Sequence, residues 1–105
     1  MQYYHGSSEN IPDGILPEGT CVTDMIQNAL IFADRDCRRK GRDMSKAIIY
    51  PLMLDPAEDT KEIIITGVRD TVLTHDTKAD SPIQVNEEVR AKCRAANLAE
   101  QEGMF

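Results

Sequence analysis

The stretch from Lys46 to Leu54 constrains the fold more than any other part of the chain. Ala47, Ile48, Ile49, Tyr50, Leu52, Met53 and Leu54 make an almost continuous apolar run with charged residues on both sides. A strand with one wet face alternates in polarity, so this run predicts a central strand with both faces covered. Pro51 sits inside it and has no N–H to give a ladder. That implies a bulge, or a side on which pairing is interrupted.

The rest of the chain must supply the covering layers. Ile26, Leu30, Ala33 and Cys37 fall on one stripe of a 3.6-residue period, widened by Ala29 and Phe32, and predict a helix with that stripe in the core. Asp24 and Gln27 have capping-box spacing for its start, and the basic run Arg38, Arg39, Lys40 and Arg42 closes it near Gly41. A second helix is expected after Asn86, a good N-cap, with Glu87 and Glu88 in its first turn. Val89, Cys93 and Ala96 mark one face of it, and it frays by Gly103.

Short strands are expected at residues 2–5, Thr20–Thr23 and Glu62–Val68. Briefer pieces follow at Thr71–Thr74 and Pro82–Val85, and GSSENIPDGILP is read as a loop after the first strand. The Glu62–Val68 strand is expected to pair antiparallel with the apolar run across the acidic turn DPAED, residues 55–59. Together these pieces predict one α+β domain over residues 1–105, a small, mainly antiparallel sheet with two helices. A chain of 105 residues buries roughly 65% of its unfolded surface, enough for a modest core.

Charge narrows the partners. A formal net charge of −6 and a sequence pI of about 4.8 argue against a broad grip on nucleic acid, which needs excess Lys and Arg. The Arg38–Arg42 cluster is a local exception that could meet a phosphate group or an acidic partner, or simply complement the helix dipole. Cys21, Cys37 and Cys93 are odd in number, far apart and in no CxxC pair, which points to reduced thiols in a cytoplasmic setting. No basic-then-apolar leader and no run approaching the roughly 20 apolar residues of a membrane span are present, so no membrane partner is expected. Exposed strand edges would allow a homodimer.

Chemistry concentrates at Tyr4, His5, Gly6 and Ser7. They read as the end of a strand that delivers an imidazole into a glycine turn, where freed backbone amides could hold a polar small molecule such as a nucleotide. An ordinary edge-strand histidine before an ordinary turn is the other reading. His75 with Asp70, Asp76 and Asp80 fits no recognised metal loop and reads as solvated acidic surface, so no metal is expected. No Walker loop, GxGxxG, GxSxG or HExxH occurs.

The order YYHGSS, GILPEGTCVT, NALIFA, KAIIYPLML resembles the small NAD-dependent ADP-ribosyltransferases, particularly the rifampin-modifying type, over roughly residues 3–59. The resemblance implies that His5 hydrogen-bonds the ribose next to adenine and that the Gly6 backbone grips the nicotinamide carboxamide. Ser7 would share that turn, Tyr4 would stand at the cofactor site, and Thr23 would end the second motif strand. An acidic residue of the DPAED turn, Asp59 first with Glu58 and Asp55 behind it, would stabilise the oxocarbenium character of the breaking nicotinamide–ribose bond. NAD would be the substrate, a protein or small molecule the acceptor, and a phage or toxin-system effector a setting that suits the size.

Where this group usually carries a tyrosine to stack on nicotinamide, the chain has Cys21, and a thiol has no aromatic face. Tyr3, Tyr4 or Tyr50 would have to approach from elsewhere, or the activity is weak or absent, or the ligand is different. The related RNA 2′-phosphotransferases would need further arginines for phosphate, for which the chain offers only Arg38–Arg42. The competing expectation is a non-catalytic protein-interaction domain, an inhibitor or effector of similar fold, docking through its acidic surface or its last helix.

Overall fold

The computed structural model describes residues 1–103, with side chains through residue 95. In chain order the strands are β1 (Gln2–Ser7), β2 (Ile15–Leu16), β3 (Cys21–Val22), β4 (Ile48–Met53), β5 (Thr60–Ile65), β6 (Val68–Leu73), β7 (Thr77–Lys78) and β8 (Ile83–Gln84). Helix α1 (Ile26–Arg39) lies between β3 and β4, and α2 (Glu87–Gly103) follows β8. All pairings are antiparallel, in the orders β1-β4-β8, β3-β6-β5 and β2-β7. The chain is thus a small α+β protein with two helices and mainly antiparallel sheets.

The apolar run is the central strand, β4, and both its faces are buried. Ile48, Tyr50, Leu52 and Leu54 join Tyr3, Leu16, Val22 and Leu73 in one cluster. Ala47 and Ile49 face the other way, into Ala29, Ala33 and Cys37 of α1 and Val85. Pro51 fits without a bulge. It stands opposite Tyr4 with its backbone polar groups turned away from β1, where its carbonyl accepts from the Asp80 amide at 2.8 Å.

Two expectations about pairing are corrected. β4 pairs with β1 and β8, whereas β5 pairs with β6. The single strand expected over Glu62–Val68 is interrupted by Thr66 and Gly67, whose φ angles of 48° and 80° close a two-residue hairpin. A tight hairpin satisfies β5 locally and leaves its outer edge open, with Ile64 68% exposed. The first strand, in turn, runs on through Gly6 and Ser7 instead of ending at His5.

Helix α1 starts one residue later than the capping-box reading. Its N-cap is Met25 with no side-chain cap bond, because the Thr23 hydroxyl takes the Met25 amide and Gln27 is buried. Phe32, expected in the core, is 41% exposed. The helix closes as expected, with the Arg42 amide reaching back to the Cys37 carbonyl at 2.8 Å. α2 begins at Asn86, whose side chain accepts from the Val89 amide at 2.9 Å. It is tied to α1 by a two-bond pair from Arg90 to Asp34 at 2.8 and 3.0 Å. Cys93 is buried as expected, and the side chain of Ala96 lies outside the described residues.

α1 lies against β1 at unusually close range. A Cβ placed on Gly6 would stand 1.9 Å from the Ala29 carbonyl oxygen and 2.7 Å from the Ala33 nitrogen, both backbone atoms that cannot swing aside. Only glycine admits the helix here. Gly6→Ala is therefore expected to lower the unfolding free energy by about 3 kcal/mol or more. The check is a fall in the urea midpoint at unchanged slope. A loss below about 1 kcal/mol would show that α1 lifts off the strand at little cost.

Candidate functional site

β1 and β3 meet and then part. Tyr4 and Thr23 exchange both backbone hydrogen bonds, at 2.7 and 2.9 Å, so the polar groups of Tyr4 point away from β4. Backbone direction alternates along a strand, which puts the N–H and C=O of Gly6 on that same side. Continuing the ladder would set Gly6 against Cys21, but the ladder stops. The Cys21 carbonyl instead accepts from His5 Nδ1 at 2.8 Å. The Gly6 N–H and C=O therefore face the gap, and no partner among the described residues takes them up.

The gap is an open cleft of about 660 Å³. One wall is the strand edge at His5, Gly6 and Ser7 with Cys21, and the other is the face of α1 carrying Phe32, Arg35, Asp36, Arg39 and Lys40, with Asp70 of β6 at the far end. A second hollow of about 350 Å³ adjoins it, sharing Phe32 and Asp70 and reaching Tyr3, Thr23 and Glu62.

Because a carbonyl can only accept, the His5 bond to Cys21 fixes its proton on Nδ1 and leaves Nε2 as an acceptor in the neutral ring. Burial pulls the His5 pKa below its ordinary value, against the opposing pull of the Cys21 carbonyl and Asp36. Burial also pushes the Cys21 thiol up, and Asp70 adds to it, so this cysteine is a protonated thiol at neutral pH and no nucleophile.

The two carboxylates of the cleft differ in their partners. Partial burial pushes the Asp36 carboxyl up. The Ser8 hydroxyl and amide, at 2.7 and 3.0 Å, with Arg39 and Lys40, outweigh that and hold it well below the usual carboxylate range. No hydrogen bond or ion pair among the described residues takes up the Asp70 carboxylate, which is free to meet a ligand.

The predicted site residues divide. His5, Gly6 and Ser7 line one cleft, as expected, but as strand residues and not as a turn. The Ser7 hydroxyl is engaged with the Glu9 backbone. Thr23 lies in the adjoining hollow, while Tyr4 packs against α1 and does not line the cleft. Asp59 and Glu58 are not brought to the cleft. Asp59 accepts the Asp55 amide at 2.8 Å and faces His75 at 2.7 Å, because the DPAED turn leads into β5 on the other sheet. His75 thus meets the Asp59 carboxylate through Nε2 and the Asp76 carbonyl through Nδ1 at 3.1 Å, and makes no hydrogen bond or ion pair with Asp70 or Asp80. The cleft residues sequence reasoning missed include Phe32, read as core, Asp70, read as surface, and Arg35 and Asp36, which were not singled out. Half exposure of an aromatic on a helix stripe is visible only after folding.

Tyr50 does not approach as an aromatic platform. Its hydroxyl donates to the Glu9 carbonyl at 3.2 Å and accepts from the Ile11 amide at 2.8 Å. Phe32 is the aromatic side chain on the cleft wall. Among the described residues no helix is long and apolar enough to cross a membrane. No protein-family model matches this chain, and no curated protein or solved structure does.

The only two histidines should titrate in opposite directions. The hydrogen bond to Asp59 raises the His75 pKa above its ordinary 6.5, so its contribution to stability is complete below 6.5 and fades as pH rises through the folded value. His5 is lowered from 6.5, so it costs stability only as pH falls below 6.5 toward its folded value. An NMR titration of the two imidazoles should place the His5 midpoint below 6.5 and the His75 midpoint above it. A His5 midpoint above that of His75 would rule out the buried, Cys21-bonded ring.

Proposed function

We propose that the chain binds NAD in the cleft between β1, β3 and α1 and transfers ADP-ribose to a protein or small-molecule acceptor, releasing nicotinamide. The observation that carries this reading is the open backbone edge of Gly6 beside a neutral imidazole. One N–H and one C=O side by side complement a primary carboxamide, whose C=O accepts from the first and whose NH₂ donates to the second. His5 Nε2 accepts from a ribose hydroxyl, and Phe32 offers the aromatic face that Cys21 cannot.

Asp70 takes the role first assigned to Asp59. The bond from ribose C1′ to nicotinamide N1 breaks with its electron pair going to the ring, which leaves neutral. Positive charge spreads over C1′ and the ring oxygen, where an uncommitted carboxylate stabilises it. The acceptor's lone pair then closes on C1′ and its proton goes to solvent.

A second reading, a non-catalytic protein-interaction domain of similar fold, is favoured by the thiol at position 21. Calorimetric titration with NAD, followed by assay of free nicotinamide with water as acceptor, separates the two. The transferase reading expects binding and slow nicotinamide release. Asp70→Asn should cut release about 100-fold or more with affinity little changed, while Asp59→Asn leaves both unchanged. Phe32→Ala should weaken binding about three- to tenfold. Binding without release, or no binding at all, overturns the transferase reading and leaves the interaction domain.

A further inference from the structure

The helical wall of the cleft has the opposite electrical sense from the molecule as a whole. The chain carries 12 Lys and Arg against 18 Asp and Glu, yet Arg35, Arg38, Arg39, Lys40 and Arg42 crowd into one turn and a half of α1 and the residues just after it. Three of them, Arg35, Arg39 and Lys40, line the cleft, where only Asp36 and Asp70 oppose them.

These cations are not equally committed. Arg39 is held by Asp36 at 2.7 Å, Lys40 stands 3.4 Å from both Asp36 and Glu9, and Arg42 reaches Glu9 at 3.7 Å and the Ser8 carbonyl at 3.2 Å. Arg35 has no carboxylate partner among the described residues. If complementing the helix dipole were the whole purpose, Arg38 and Arg39 in the last turn would suffice. An unpaired guanidinium a turn earlier, aligned with Arg39 on the face that lines a cleft, answers to something else.

We propose that Arg35 and Arg39, with Lys40 beside them, form an anion subsite for the diphosphate of a nucleotide. Positions 35 and 39 are one helical turn apart, about 6 Å along the axis, so both side chains stand on the flank that lines the cleft and can reach one diphosphate together. Planar guanidinium groups suit phosphate oxygens, and the Asp36 pair holds Arg39 in place before the ligand arrives. The inference deepens the NAD reading and rests on it for the identity of the nucleotide. It places the diphosphate on α1 and the two ends of the dinucleotide along the β1 edge. A nucleic-acid strand fits less well, since the rest of the surface repels it.

The probes are ADP-ribose, which has the diphosphate but no nicotinamide; nicotinamide riboside, which has no phosphate; inorganic pyrophosphate; and a single-stranded oligonucleotide. They are titrated into the wild type and into Arg35→Gln, Arg35→Gln/Arg39→Gln and Arg38→Gln, the last altering an exposed cation outside the cleft. Affinity for ADP-ribose should fall about tenfold in Arg35→Gln and further in the double variant. It should hold in Arg38→Gln, and nicotinamide riboside should be indifferent to all three.

Unchanged ADP-ribose affinity in the double variant overturns the subsite, as does an equal loss in Arg38→Gln. Tighter binding of the oligonucleotide than of ADP-ribose overturns it in favour of a strand. Circular dichroism of each variant checks the fold. Pyrophosphate binding that depends on Arg35 in a protein that ignores NAD keeps the subsite and removes the NAD reading. NAD binding that ignores Arg35 does the reverse.

Discussion

The contact between the backbone of α1 and the bare Cα of Gly6 is the constraint from which the rest follows. It seats the helix directly on β1, so that Ala29, Ala33 and Cys37 reach Ile49 and Ala47 with only small side chains between. Small residues at a close crossing leave little area per residue to bury, and the helix compensates by near-complete exclusion of water along that stripe. Seated there, α1 also rotates its opposite, charged flank toward the open edge of β1. A larger residue at position 6 would lift the helix, thin the core on one face of β4 and widen the cleft together.

Against this fixed wall, the parting of β1 from β3 is made by a side chain. A single exchanged pair of hydrogen bonds at Tyr4 and Thr23 joins the strands, and the next rung is replaced by the imidazole of His5 on the Cys21 carbonyl. The substitution keeps that carbonyl satisfied while leaving the Gly6 amide and carbonyl without a protein partner. A donor and acceptor that no protein group takes up, on a residue lining a cleft, select for a ligand that pairs with both. His5 thus has two jobs at once, holding the sheet open on one nitrogen and presenting an acceptor on the other.

Much of this was legible because it is local. The two-faced burial of β4, the stripe of α1 apart from Phe32, and the Asn86 cap each depend on residues within a turn or two of one another, and each stands as read. Errors came where partners are remote. Thr66–Gly67 carries a weaker hairpin signal than Asn-Gly, so β5 and β6 were merged and the acidic turn was carried toward the wrong sheet. The expectation for Asp59 came from the family resemblance, and the structure keeps that residue in the DPAED turn, away from the cleft that Asp70 lines. Gly6 was recognised as special for the wrong reason: its conformation is ordinary extended strand, and what requires glycine is a helix that begins twenty residues later. Phe32 obeys the core period and still faces outward, since no neighbour covers that flank of α1.

Two carboxylates in a cleft proposed to take an anion pose a difficulty that their partners resolve. Asp36 gives its oxygens to Ser8, Arg39 and Lys40, so its charge is consumed in fastening the end of β1 to α1 and in fixing the cations that flank it. Its carboxyl lies well below the usual range, so the stability it lends is complete above the ordinary carboxylate pKa of 3.8 and is lost progressively as pH falls below it. Asp70 has no such engagements and stands at the other end of the cleft, beside Cys21. Two groups of one chemical type are thus set to different work by what surrounds them. On the NAD reading proposed above, the anionic end of the ligand would be drawn to α1, where Asp36 is already paired, and the ribose would face Asp70, which has no hydrogen-bond or ion-pair partner among the described residues.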